Sequence, residues 1–194
     1  VEFDRVNLLS GWGATGTNYV KDWSIHNSKI NRVDVHMGVN NIYCNNVEFV
    51  GRWGLFVGYG MGSVLLENCS SDFVESGNLG SVVYLGTSYG HLFEGDITIK
   101  NHKIKTNIDS EDYYLVRASF GYRNEAFDSD QGIHFPNLYV DNIKFDNHDG
   151  SRLYGYYVSG LTTMEYDVTL MDRSIIFPKY IDITNIKMLV SNDK

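Results

Sequence analysis

Apolar and polar residues alternate in short runs along this chain, and the runs break at asparagines. The pattern apolar-x-Asn-x-x-apolar recurs as Ile25-x-Asn27-x-x-Ile30, Cys44-x-Asn46-x-x-Phe49, Leu66-x-Asn68-x-x-Ser71, Ile99-x-Asn101-x-x-Ile104, Val140-x-Asn142-x-x-Phe145 and Ile183-x-Asn185-x-x-Met188. Its last position is apolar except at Ser71. Another apolar residue stands two places ahead of each copy: Trp23, Ile42, Val64, Ile97, Leu138 and Ile181. Residues i and i+2 share one face of a strand, so each copy predicts a strand with a buried face. The asparagine predicts a bend, because its short polar side chain can bond nearby backbone groups there.

A motif that recurs along a chain marks a repeat architecture. The asparagines are spaced by 19, 22, 33, 41 and 43 residues. The first two spacings suit a bare coil of a β-solenoid, and the later ones need the same coil plus loops. No long segment carries a 3.6-residue apolar period, which argues against a helical solenoid. The expected fold is all-β, with the six asparagines in one column around an interior of Ile, Val, Leu and Phe. One domain is expected over residues 1–194, with compact coils over 19–105 and coils with large loops over 106–194. The insertions fall at roughly 106–136 and 146–180.

Composition agrees with many short strands joined by bends: 43 % apolar residues, 19 Gly, 14 Tyr and only 2 Pro. The net charge of −8 argues against a nucleic-acid partner, which needs basic density to displace counterions. No apolar run approaches about 18 residues, so no membrane-spanning helix is predicted. The start, Val1 to Arg5, is not a signal peptide and reads as the interior of a longer protein. Cys44 falls at an inward motif position and Cys69 at a bend position of opposite parity, so two buried thiols are expected rather than a disulfide. No Cys/His spacing suggests zinc. The spacing Asp128-x-Asp130-x-Gly132 carries too few ligands for a calcium loop, and no cofactor is expected. The glycines between Gly11 and Gly16, and those at Gly58, Gly60 and Gly62, read as turns, because no helix follows them to make a phosphate cradle.

Laying the two compact coils over one another, with Gly38 aligned to Gly60, stacks Val33 and Val35 on Leu55 and Val57, facing in. Arg32, Asp34 and His36 then face out, over Gly54, Phe56 and Gly58, with the two glycines leaving room for a ligand. The repeated motif, together with the runs Asn31 to Gly38 and Asn41 to Asn46, resembles the right-handed parallel β-helices of phage tail-spike and tail-appendage proteins in the pectate-lyase-like superfamily. The resemblance covers about residues 19–105, and the remainder only through its two last motif copies. It implies a homotrimeric, extracellular component of a virion tail that binds, and often cleaves, a polysaccharide of the bacterial envelope.

Two chemistries fit such a substrate. Glycoside hydrolysis uses two carboxyl groups flanking the bond. Asp34 is the candidate for one, with Glu48 or Glu67 (and further Asp72 or Glu75) for the other. A polysaccharide lyase instead needs a cation on the uronate carboxylate and a base, for which Arg32 and His36 are candidates. Trp53, Phe56, Tyr59 and Tyr84 are candidates for stacking on sugar faces, as are Tyr113, Tyr114, Tyr122, Tyr154, Tyr156 and Tyr157. A structural ion pairing for the Arg32–Asp34–His36 row is the competing reading. The outward column of His26, Asn45, Glu67, Lys100, Asp141 and Thr184 is chemically mixed and reads as a solvated face. Two other functions stay open: a non-catalytic receptor-binding or structural β-helix of a virion, and a secreted bacterial pectin-lyase-like enzyme.

Overall fold

Residues 1–9, 15–51, 53–73, 80–86, 93–106, 112–119, 133–147, 150–159 and 175–190 are described in the structure, a computed structural model. Among them the chain begins with β1 (Glu2–Asp4), β2 (Asn7–Leu8), β3 (Thr15–Asn18), β4 (Asp22–Ile30), β5 (Val33–Met37) and β6 (Val39–Phe49). Then come β7 (Trp53–Val57), β8 (Gly60–Glu67), β9 (Ser70–Phe73), β10 (Gly80–Gly86) and β11 (Phe93–Thr106). The order closes with β12 (Asp112–Ser119), β13 (Ile133–His134), β14 (Asn137–Asn147), β15 (Arg152–Ser159), β16 (Ile175–Ile176) and β17 (Ile181–Val190).

These strands build an all-β fold of parallel sheets. The first sheet has the order β1-β4-β6-β8-β11-β14-β17, with β2 beside β4 and β9 joining β6 to β11. The second has the order β3-β5-β7-β10-β12-β15, and β13 pairs with β16 in a small third sheet. Parallel neighbours need a crossover between them. Here the crossover from one strand of the first sheet to the next runs largely through a strand of the second, an arrangement compatible with a β-solenoid.

The motif sets the register of the first sheet. Ile25, Cys44, Leu66, Ile99, Val140 and Ile183 align strand by strand, as do Trp23, Ile42, Val64, Ile97, Leu138 and Ile181. All are buried except in β17, where Ile183 is only partly covered and Ile181, Ile186 and Met188 are 52 %, 43 % and 52 % exposed. Each motif asparagine takes a left-handed backbone, with φ of 50° at Asn27, 56° at Asn46, 55° at Asn68, 52° at Asn101, 59° at Asn142 and 54° at Asn185. Asparagine tolerates this region better than most residues. The twist turns the following residue inward, which buries Ser28, Val47, Cys69, His102 and Ile143. Both cysteines are buried free thiols. In the leading coil Arg5, with φ of 55°, takes the asparagine's place.

The asparagine side chains join into a ladder. The amide of Asn46 donates to the Asn27 oxygen at 2.8 Å, Asn101 to Asn68 at 3.1 Å and Asn142 to Asn101 at 2.8 Å. A second ladder stands where the first-sheet strands begin. There Asn41 donates to Asp22 at 2.8 Å, Ser63 donates to Asn41 at 3.0 Å and Asn137 donates to Asp96 at 2.8 Å.

The polar exception in the motif has a partner. Ser71 Oγ lies 2.9 Å from His102 Nε2, both side chains buried. Burial pushes the His102 imidazole down to about 3, so it is neutral at ordinary pH.

Candidate functional site

The second sheet departs from strict alternation in a way that creates the site. Val33, Leu55, Val83 and Val116 align and face in, as do Val35, Val57, Leu85 and Ala118. Gly54 also faces in: a Cβ there would lie 3.2 Å from the core side chain of Phe49 and 2.8 Å from the Val82 carbonyl. Val82 and Leu115 are fully buried next to Val83 and Val116, and a Cβ on Gly155 would strike Ile183. The register skips this position in each of the three pairs β7–β10, β10–β12 and β12–β15.

Two consecutive inward residues leave the residues on either side of them both facing out. Two outer columns result. One holds Trp53, Ser81, Tyr114 and Tyr154, and the other holds Phe56, Tyr84, Arg117 and Tyr157, with Asp34 and Gly16 continuing the second. Their rings form two clusters, in which Trp53, Phe56 and Tyr114 are buried and Tyr84, Tyr154 and Tyr157 reach solvent. Trp53 stacks on Tyr84 with centroids 4.9 Å apart and planes 17° apart, and Phe56 stacks on Tyr84 at 5.6 Å. Higher up, Tyr114 packs against Tyr154 at 5.4 Å and Tyr157 at 4.9 Å. A Cβ on Gly86 would sit 2.6 Å from the Phe56 ring, so glycine lets that ring lie flat across the sheet.

Guanidinium groups complete the face. Arg32 Cζ lies 5.0 Å from the Trp53 ring centre, and Arg117 Cζ lies 5.4 Å from Tyr114 and 5.9 Å from Tyr157. Arg152 Cζ sits 5.9 Å over Tyr154 while its Nε donates to Asp112 at 2.7 Å. That bond raises the Arg152 pKa, and partial burial, with Asp112 nearby, raises that of Tyr114. Aromatic rings carry negative charge on their faces, so cations over them are attracted.

The expected charged row changes character in three dimensions. Asp34 does stack over Phe56, and His36 meets the Phe56 ring edge-on at 5.9 Å. Arg32 and Asp34, however, are 7 % and 2 % exposed rather than solvated. Arg32 donates from Nη2 and Nε to Asp34 Oδ2, at 2.6 and 3.0 Å, and Asp34 Oδ1 is buried with no hydrogen bond. The room expected over Gly54 is not there: Gly54 points inward, and the Trp53 ring lies beneath Arg32. The alignment also slips locally, pairing Val39 rather than Gly38 with Gly60, because the backbone bulges between Val39 and Asn41.

Glu48 and Glu67 do not join Asp34. Both belong to the first sheet, in β6 and β8. Glu48 accepts from Lys29 Nζ at 2.8 Å, and Glu67 accepts from Tyr43 at 3.1 Å and Asn45 at 3.2 Å. The mixed column of His26, Asn45, Glu67, Lys100, Asp141 and Thr184 does align in register. Tyr59 lies in the turn between β7 and β8, off the stacked columns. Of the further tyrosines, Tyr114, Tyr154 and Tyr157 belong to the face, whereas Tyr113 packs in the core against Phe73 and Phe145 and Tyr156 is partly buried beside Phe135. Tyr122, Glu75, Asp128 and Asp130 lie outside the described residues. Among the described residues no group of three or more His, Cys, Asp or Glu side chains is placed to hold a metal ion.

Trp53, Phe56 and Tyr84, expected as stacking residues, lie together on this face, whereas Arg117, Arg152 and Ser81 were not among the expected residues. The available signal was a spacing of three between outward residues, as in Trp53–Phe56, Ser81–Tyr84, Tyr114–Arg117 and Tyr154–Tyr157. No protein-family model, curated protein or solved structure matches this chain.

Proposed function

We propose that this chain is a right-handed parallel β-helix that binds a polysaccharide of the bacterial envelope on the outer face of its second sheet. The observation that carries the reading is the pair of ring clusters on this face, Tyr84 stacked on Trp53 and Phe56, and Tyr154 and Tyr157 packed on Tyr114, with Arg117 and Arg152 over the second. Flat apolar rings suit the faces of sugar rings, and guanidinium groups suit their hydroxyl and carboxylate oxygens. The right-handed sense, a homotrimer and a place in a virion tail rest on the resemblance to tail-spike and tail-appendage proteins.

The test is calorimetric titration of purified envelope oligosaccharide into the protein and into Tyr84→Ala and Tyr157→Ala. Each lost stacking partner should weaken binding by about 0.5–1.5 kcal/mol, roughly two- to tenfold. Unchanged affinity in both variants removes the ring clusters from the site.

Cleavage is the second reading, favoured by the unbonded Oδ1 of Asp34 close in sequence to the half-buried His36. Asp34→Asn separates it from binding alone. Loss of new reducing ends with retained binding supports catalysis, and unchanged cleavage removes Asp34. Unsaturated uronates among the products, seen by ultraviolet absorbance, mark elimination, and their absence marks hydrolysis.

A further inference from the structure

The first sheet carries a second, independent set of aligned groups. Two residues after each motif asparagine stands an outward position: Lys29, Glu48, Ser70, Lys103, Lys144 and Lys187, in register from strand to strand. The two ends of this row differ. At one end Lys29 Nζ meets Glu48 at 2.8 Å and the row supplies its own counter-ion. At the other, three lysines lie directly opposite one another on β11, β14 and β17.

Like charges placed opposite one another across strands are destabilising. Lys103 finds Asp146 only at 3.9 Å, and Lys144 and Lys187 make no ion pair among the described residues. Asp141, the nearest acid in the adjacent groove, is held by Thr184 at 3.2 Å and Asn185 at 2.7 Å, and Lys100 stands close enough to help lower its pKa. This excess of cations sits on a chain whose net charge is −8.

Beside the lysines runs an open groove of about 570 Å³ lined by Asn101, Asp141, Asn142, Asn185, Ile186 and Lys187. Its floor is the asparagine ladder, so amide groups and ammonium groups repeat together at the strand spacing of about 4.8 Å. Three lysines in such a row span roughly 10 Å. A single small anion would reach only part of it. An extended chain with a carboxylate on successive sugars would meet a lysine and an amide at each step.

We propose that this groove binds an extended acidic glycan segment, its carboxylates on Lys103, Lys144 and Lys187 and its hydroxyls on the asparagine ladder. The inference rests on the glycan-binding reading and adds a substrate class, uronate-bearing chains, on a different face.

The experiment compares a polygalacturonate oligomer with a dextran oligomer of equal length by calorimetry, at low and at raised salt. Polygalacturonate should bind more tightly, and salt should weaken it. The double variant Lys144→Gln/Lys187→Gln should lower polygalacturonate affinity roughly tenfold while melting as the parent does, since both side chains are exposed. Lys29→Gln, in the same row but already paired, should leave it unchanged. Equal binding of the two oligomers, no binding of either, or an unaltered double variant overturns the proposal. So does inorganic sulfate that displaces polygalacturonate at equal charge concentration, because one small anion then suffices. Should the lysine variants have no effect while Tyr157→Ala still weakens envelope-oligosaccharide binding, the groove falls and the aromatic face stands.

Discussion

His102 should make this fold acid-sensitive in a way that can be isolated. Its imidazole is fully enclosed, with Nε2 on Ser71 and Nδ1 without a hydrogen bond. Burial lowers its pKa from 6.5 to about 3. The folded state therefore refuses a proton that the unfolded chain accepts below pH 6.5. Stability from the neutral ring is whole above that pH and is lost progressively as pH falls toward 3. Each unit is worth about 1.4 kcal/mol, so the loss is roughly 3 kcal/mol at pH 4.5 and on the order of 5 kcal/mol at pH 3. That is a large part of the 5–15 kcal/mol by which domains are typically stable. The comparison protein is Ser71→Ala/His102→Leu, which removes both polar partners together and avoids orphaning either. Urea unfolding followed by circular dichroism between pH 7 and 4.5 gives the stability of each. Carboxylate effects are common to both and cancel in the difference. The gap between them should shift by about 1.4 kcal/mol per pH unit below 6.5, with the variant favoured in acid. Parallel stability profiles would refute the neutral, enclosed histidine.

Three further outcomes follow from the same geometry. Ile99→Asp puts an unpaired charge in a fully buried position and should cost several kcal/mol, enough to abolish the thermal transition; a retained cooperative melt would contradict the inward assignment. Asn101→Ala strains a left-handed residue and removes two ladder bonds, costing about 2 kcal/mol, whereas Asn101→Gly keeps the backbone and should cost less; equal losses in denaturant unfolding would show that φ is not the asparagine's contribution. Arg32→Met leaves Asp34 buried and unpaired and should cost about 3–5 kcal/mol, while Lys29→Met, at an exposed pair, should cost less than about 1 kcal/mol; similar values would show that the Arg32 pair is solvated.

The parts of the fold that depend on local rules were legible in the sequence. The motif located the left-handed asparagines, the core columns of the first sheet and the stacking of Val33 on Leu55 and Asp34 on Phe56, because strand parity and the preference of asparagine for bends act over a few residues. The site was legible only in part. Strict alternation makes Gly54 an outward gap, but the strand takes two inward residues there, and that choice depends on Phe49 from the preceding strand and Val82 from the next coil. The same break brings Trp53 onto the outer face, where its ring meets Arg32 and turns an expected solvated row into an enclosed pair. Arg117 and Arg152 were not legible because one partner of each, Tyr157 for Arg117 and Asp112 for Arg152, is brought by register from about 40 residues away. Ser71 read as a flaw in the motif because its partner His102 lies one coil away.

The most direct test of the glycan-binding face is hydroxyl-radical footprinting with and without saturating envelope polysaccharide, read out by mass spectrometry at individual rings. Tyr84, Tyr154 and Tyr157, the rings of the face that solvent reaches, should lose much of their oxidation when the polysaccharide is bound. Tyr43 and Tyr139, which point out from the first sheet, should not change. Unaltered oxidation of Tyr84, Tyr154 and Tyr157 in the presence of bound polysaccharide would contradict the account, as would protection confined to Tyr43 and Tyr139.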